Sequence, residues 1–328
     1  MGNLIIILTI FLLITGCHKD EQNKSTWITQ QSGTTSPLNA IYFTDTNTGY
    51  IVGYYGTILK TVNGGTTWTA QTSGTPYILT SVFFTDSNIG YAVGWYGTIL
   101  KTINGGITWT ALTSGVSFAL YSVHFTDANT GYVVIGDSGG GILKTVDGGT
   151  TWTIQDSGAT VPLYSIFFTG NTVCAVGFEI MLESNNGDWA VQNNYIYTNS
   201  NLNSVYFTDT YTGYSVGSGG TILNTIDGGK TWRAQTSGTT NDLYSVYFSD
   251  VNTGYAVGGS LIWSDSGIDF VGKPYIGTIL KTTNGGATWT SQLSGTIYRL
   301  YSVYFTNFNT GYAVGDGGTI LKTITSGE

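Results

Sequence analysis

Charge is scarce in this chain: Asp, Glu, Lys and Arg make up 9% of its 328 residues, against roughly a quarter in an average soluble protein. With 11 Lys and Arg and a net charge of −8, it has no surface to set against a phosphate backbone, which excludes nucleic-acid partners. Its two histidines, His18 and His124, are too few for a His-based triad or a His-rich metal site. Two cysteines, Cys17 and Cys174, do not make a disulfide framework. Helix signals are absent. What is plentiful is glycine, at 47 residues, and aromatic side chains, at 14%, with Thr, Ser and Asn supplying most of the polarity. That profile suits short strands joined by tight turns.

The one long apolar run, LIIILTIFLLI over residues 4–14, is too short to cross a bilayer core of ~30 Å as a helix. It has the length of a signal-peptide apolar segment. It leads into Ile14-Thr15-Gly16-Cys17, which resembles the lipobox of bacterial lipoproteins. The resemblance implies a signal peptide over 1–16, a diacylglycerol on the Cys17 thiol and a linker over 17–25. One departure is that the leading Met-Gly-Asn carries no Lys or Arg. Cys17-His18-Lys19-Asp20-Glu21 is similar to the surface-export signal of lipoproteins in one Gram-negative phylum. The expected location is therefore the bacterial cell envelope, lipid-anchored at the outer membrane, with the surface and the periplasmic side both open and the second resemblance pointing to the surface. Two acyl chains anchor stably without any transmembrane helix.

Self-similarity dominates the remainder. The clearest unit is 79–115, LTSVFFTDSNIGYAVGWYGTILKTINGGITWTALTSG, with comparable units starting near Leu38, Leu120, Leu163, Leu202, Leu243 and Leu300. Trp68, Trp109, Trp152, Trp189, Trp232 and Trp289 close successive units. A period of roughly forty residues built only of strand signals reads as propeller blades. Within a unit, SVFF, YAVG, TILKT and TWTAL are strands A to D. Asn-Gly or Asp-Gly between C and D is a strong hairpin signal, because those residues tolerate positive φ. The seventh unit stops at Ser326-Gly327-Glu328 without its Trp strand, and the missing strand stands at 26–31 as Thr-Trp-Ile-Thr-Gln-Gln. The expectation is an all-β, seven-bladed propeller over 26–328, with the N-terminal strand completing the last blade and leaving no exposed edge.

The segment Thr61-Val62-Asn63-Gly64-Gly65-Thr66-Thr67-Trp68 matches the Asp-box, and it recurs at 102–109, 145–152, 225–232 and 282–289. The fuller unit, FTD…GYAVG…ILKT-x-NGG-x-TW, looks like the propeller of the photosystem II stability/assembly factor family. Members of that family present a basic, Arg-bearing surface to membrane-protein clients, and cyanobacterial members carry a lipid anchor. This chain has two arginines, Arg233 and Arg299. Sialidases, the best-known Asp-box enzymes, hold a substrate carboxylate with three arginines, so their activity does not carry over.

Five Asp-box copies point to structure, because catalysis needs one site. Asn63, Asn104, Asp147, Asp227 and Asn284 are expected to accept backbone hydrogen bonds, and Trp27, Trp68, Trp109, Trp152, Trp232 and Trp289 to pack between blades. Asp45-Thr46-Asn47-Thr48-Gly49 has a calcium-loop look but lacks the later oxygen ligands, and an Asx-turn accounts for it. No metal or cofactor is expected. Glu179 and Glu183, read as one extended strand, would lie ~13 Å apart, too far for a retaining glycosidase pair.

The repeats differ most in their B–C and D–A loops, which share one face. That face offers Tyr54, Tyr55, Trp95, Tyr96, Tyr298 and Arg299, and an insertion over 259–276 adds Trp263. Exposed rings beside amides and carboxylates suit a glycan or a peptide. The reading is a monomeric, non-catalytic binding or assembly scaffold with a protein or glycan ligand. The alternatives are a photosystem II assembly factor-like protein and a glycoside hydrolase-type enzyme. The anchor is tested by Cys17→Ser, which is expected to release the protein from membranes or stall its processing. Unchanged fractionation, with no acyl mass on the wild-type N-terminus, would contradict it.

Overall fold

The computed structural model describes residues 26–137, 139–169, 172–185, 188–191, 200–261 and 275–327. Cys17 and Trp263 lie outside the described residues. The described strands form seven four-stranded antiparallel sheets. Blades 1 to 6 span 38–71, 79–112, 120–155, 163–191, 202–235 and 243–292. Blade 7 takes Leu300–Phe305, Gly311–Gly315 and Ile320–Thr323 as strands A to C. Its fourth strand is Ile28–Gln30, paired Ile28 to Lys322 and Gln30 to Ile320. The first strand of the propeller therefore closes the last blade, as the missing Trp strand implies. In blade 6, the start and end of the stretch read as a loop insertion instead lengthen the hairpin, so that strands B and C run Gly254–Leu261 and Tyr275–Thr282.

Strand A of each blade packs on strand A of both neighbours, which places these strands around the axis. Their fifth residues form a closed girdle of rings. Tyr42, Phe83, His124, Phe167, Tyr206, Tyr247 and Tyr304 follow one another at centroid separations of 4.7 to 5.6 Å, and Tyr304 returns to Tyr42 at 5.5 Å. Tyr42, Tyr206, Tyr247 and Tyr304 also donate their hydroxyls to the carbonyl of the last strand-A residue one blade on, at 3.0 to 3.1 Å.

Farther from the axis, one motif joins most blades. The tyrosine of strand B lies flat on the last phenylalanine of strand A in the next blade. Tyr50–Phe84, Tyr91–Phe125, Tyr214–Phe248 and Tyr255–Phe305 all have centroids 4.0 Å apart. The Asp-box tryptophan meets that phenylalanine edge-on, as Trp109 does Phe84 at 6.0 Å and Trp27 does Phe305 at 6.0 Å. The tyrosine hydroxyl reaches into the Asp-box turn of the next blade, where Tyr50 donates to the Gly105 carbonyl at 2.8 Å and Lys60 Nζ donates to the same oxygen at 2.6 Å. Tyr91 with Lys101, and Tyr312 with Lys322, repeat this on Gly148 and Gly64. Gly106 must be glycine twice over: its φ is +81°, and a Cβ there would sit 2.9 Å from the Tyr50 ring.

The Asp-box polar residue holds its own turn. Asn63 Oδ1 accepts from the Thr67 N–H at 3.0 Å, and its Nδ2 donates to Thr67 Oγ1 at 2.9 Å. Asp147 accepts both bonds on its carboxylate, from the Thr151 N–H at 2.9 Å and the Thr151 hydroxyl at 2.7 Å, and the Thr151 N–H holds its carboxyl down at about 2. Between strands A and B, Asp45 accepts from the N–H groups of Asn47 and Thr48 at 2.7 and 2.9 Å. Asn307 takes the same place in blade 7 with the same bonds. That is an Asx-turn.

Blade closure rests on the N-terminal strand, because Trp27 is 3% exposed between blades 6 and 7. Truncating a buried Trp costs about 3–5 kcal/mol, a large part of a typical stability of roughly 5–15 kcal/mol. Deleting 18–33 should therefore cause aggregation or a far lower melting temperature, whereas deleting 18–24 should leave it unchanged; equal melting of the two would refute the closure. A second test concerns His124. Burial pushes its imidazole down to about 4, while the unfolded chain protonates it near 6.5. The unfolded state thus binds the extra proton, so stability is lost as pH falls through that window. His124→Phe should melt like the parent at pH 8 and above it at pH 5. A pH-independent difference would mean that the imidazole is not held neutral.

Candidate functional site

Strand A carries a β-bulge in every blade, with the register shifting between its first and third residues. Such a bulge re-aims the side chain within it. The second residue sits in the bulge, and from all seven blades it lines one cavity of about 340 Å³ at the axis. The seven are Asn39, Thr80, Tyr121, Tyr164, Asn203, Tyr244 and Tyr301, joined by Tyr54, Ile78 and Trp95. Each of the seven is half-buried. This axial mouth opens on the face of the B–C and D–A loops. A second cavity of about 560 Å³ beside blade 6 is lined by Gly, Ser, Thr, Leu and Ile with one Asn and one Gln. It has no ring or ionisable group to give it chemistry.

The mouth is wired across blade junctions. Asn39 Nδ2 donates to the Leu79 carbonyl at 2.8 Å, Thr80 Oγ1 to Leu120 at 2.6 Å and Asn203 Nδ2 to Leu243 at 2.9 Å. The tyrosines form two edge-to-face pairs, Tyr121–Tyr164 at 5.4 Å and Tyr244–Tyr301 at 5.2 Å. Burial raises the hydroxyl pKa of all four, so they remain protonated donors at neutral pH. Tyr301 donates to Asp316 Oδ1 at 2.9 Å, and Arg299 Nε pairs with Asp316 Oδ2 at 2.9 Å. The Arg299 guanidinium also lies over the Tyr301 ring, 5.5 Å from its centroid.

Of the residues singled out from sequence, Tyr54 and Trp95 line the mouth. Arg299 stands beside it through Asp316 and Tyr301. Tyr55 and Tyr96 do not line it. They are 75% and 64% exposed, with φ of 56° and 57°, at the loop position held by Gly219 and Gly317 in blades 5 and 7. A tyrosine in left-handed backbone carries local strain. Tyr96 packs on Tyr77, centroids 4.7 Å apart, which forms an outer aromatic arc with Phe118 nearby on the same loops. Tyr298 is exposed and leans toward Gly317. Glu179 is not on a strand with Glu183: it sits in the B–C loop with φ 54°, while Glu183 is buried in strand C opposite Cys174. Among the described residues no group of His, Cys, Asp and Glu is arranged to hold a metal, and no helix is long and apolar enough to cross a membrane.

Sequence reasoning passed over the second residue of strand A, although a signal was present. That position reads Asn, Thr, Tyr, Tyr, Asn, Tyr, Tyr, changing its polar chemistry, whereas the fifth residue varies only among rings. Variation at a fixed place in a repeat marks a surface that the scaffold does not need for itself.

Fold and site together define a closed Asp-box propeller with a polar, tyrosine-rich mouth on its axis. The chain belongs to the photosynthesis system II assembly factor YCF48 family, whose model matches residues 19–115 and 183–293, well over half of its length. A solved YCF48 bound to a D1 peptide is similar at 21% identity and a TM-score of 0.73, over 92% of this chain and 98% of that one. YCF48 from Cyanidioschyzon merolae is similar at 20% identity and a TM-score of 0.71, over 90% and 98%. The GH74 enzyme of Niastella koreensis shares the fold at 16% identity and a TM-score of 0.70, covering 92% of this chain and 54% of the enzyme. No curated protein matches the chain.

Proposed function

We propose that this protein is a non-catalytic propeller, tethered to the bacterial envelope through Cys17, that holds a segment of a client polypeptide in its axial mouth during assembly. One observation carries the reading: the second residue of strand A, which changes between amide, hydroxyl and phenol, converges from all seven blades on a single cavity. Its neutral hydroxyls and amides match the donors and acceptors of an extended backbone, and its rings supply apolar contact at low entropic cost. Family membership supports an assembly role, and the relative solved with a D1 peptide supports a polypeptide as the ligand class. A hydrolase reading asks for two carboxylates set across a substrate bond. Asp316 is held by Arg299 and Tyr301, Asp242 accepts from the Gly219 N–H at 2.8 Å, and Glu183 is buried between strands.

An array of short peptides, a glycan array and a polysaccharide turnover panel separate the readings. A subset of peptides should bind the wild-type protein. Tyr164→Ala and Tyr244→Ala should each weaken that binding about tenfold or more with little change in melting temperature. Ile103→Ser, on an exposed turn of the opposite face, should bind as the parent does. Glycan binding or turnover without peptide binding, or equal peptide binding by all three variants, would overturn the proposal.

A further inference from the structure

The lysines of the scaffold are committed away from the mouth. Lys60, Lys101 and Lys322 bond Asp-box carbonyls of the next blade, and Lys144 and Lys281 lie over Tyr132 and Tyr255 of the same strand pairs. The Asp-box turns are bonded to the A–B turns, for example Gly105 N–H to the Asn88 carbonyl at 2.9 Å, so these cations serve the face opposite the mouth. Among the described residues the mouth has Arg299 as its cation, already neutralised by Asp316. Around it stand Asp316 on Tyr301, Asp242 next to Tyr244 and Asp137 in the loop beside Tyr121. Asp242 Oδ1 accepts from the Gly219 N–H at 2.8 Å, and Gly136, next to Asp137, lies against the Tyr121 ring, so both carboxylates stand on the rim loops; burial first, and then these charges, raise the hydroxyl pKa values of Tyr244 and Tyr121.

Arg299 also shows which chemistry these walls accept. Its guanidinium has a tyrosine face on one side at 5.5 Å and a carboxylate on its Nε at 2.9 Å. At Tyr244 with Asp242 and at Tyr121 with Asp137 a tyrosine and a carboxylate again stand near each other on the rim. A tyrosine face attracts a cation through its quadrupole, and nearby acidic groups reinforce the attraction. A carboxylate ligand would meet the like charges of Asp137 and Asp242, Asp316 being paired with Arg299.

We infer that the axial mouth selects a cationic side chain, a Lys or Arg projecting from an extended segment of the client, and discriminates against acidic segments. This rests on the reading of the mouth as a polypeptide site and adds its specificity. Its preference is opposite in sign to that of a basic, Arg-bearing surface.

The test uses the full-length protein and one peptide of neutral residues with a central Arg, citrulline or Glu, followed by isothermal titration calorimetry. The Arg peptide should bind on the order of tenfold tighter than the citrulline peptide, which keeps the shape and loses the charge, and tighter still than the Glu peptide. Added salt should narrow the gap. Asp242→Asn and Asp137→Asn should each reduce the Arg-over-citrulline ratio. Equal binding of Arg and citrulline, or tighter binding of Glu, would overturn the charge selection while leaving polypeptide binding intact. No binding of any of the three, beside successful glycan binding, would overturn the polypeptide reading with it.

Discussion

The structure depends on one contact repeated around the ring: a strand-B tyrosine laid on the phenylalanine of the next blade, with its hydroxyl on that blade's Asp-box turn. It joins two blades through apolar area, ring stacking and a buried hydrogen bond at once, and it requires the turn to present a bare glycine to the ring. One departure from it is instructive. In blade 4, Cys174 and Glu183 take the places of the tyrosine and the lysine, paired across the same strands. Burial and the Glu183 charge keep that thiol protonated. On the far side of this junction, Trp232 donates to its own Gly229 carbonyl at 2.9 Å, so the turn is held from within its blade.

The same contact sets the electrostatics of the two faces. Because strand-C lysines reach for the Asp-box carbonyls, positive charge is drawn to one side of the disc. Among the described residues, those around the mouth include Asp137, Asp242 and Asp316 against Arg299. A structural device thereby leaves a chemical consequence at the opposite end of each blade, and the proposed cation preference follows from it.

Much of the fold was legible because its signals are local and repeated. The Asn-Gly-Gly turns, the alternating strands and the displaced Trp strand at 26–31 gave blade number and closure without any long-range information. The mouth was less legible. Tyr54 and Trp95 were found by their place in variable loops, and so were Tyr55 and Tyr96, which the loop geometry turns outward. Alternation alone cannot show a bulge, because one extra residue in strand A shifts the phase of every side chain before it. Tyr121, Tyr164, Tyr244 and Tyr301 therefore read as ordinary strand residues. Glu179 was misplaced for a related reason: Phe178-Glu179-Ile180 looks like strand, but the residue takes the left-handed conformation that the other blades give to glycine or tyrosine.

A crystal structure of the protein with the central-Arg peptide would decide the matter most directly. The account predicts the peptide across the axial mouth, with its guanidinium against the faces of the Tyr121–Tyr164 or Tyr244–Tyr301 pair and within reach of Asp137 or Asp242. A peptide seated instead on the outer arc of Tyr77 and Tyr96, or on the face of the Asp-box turns, would contradict it.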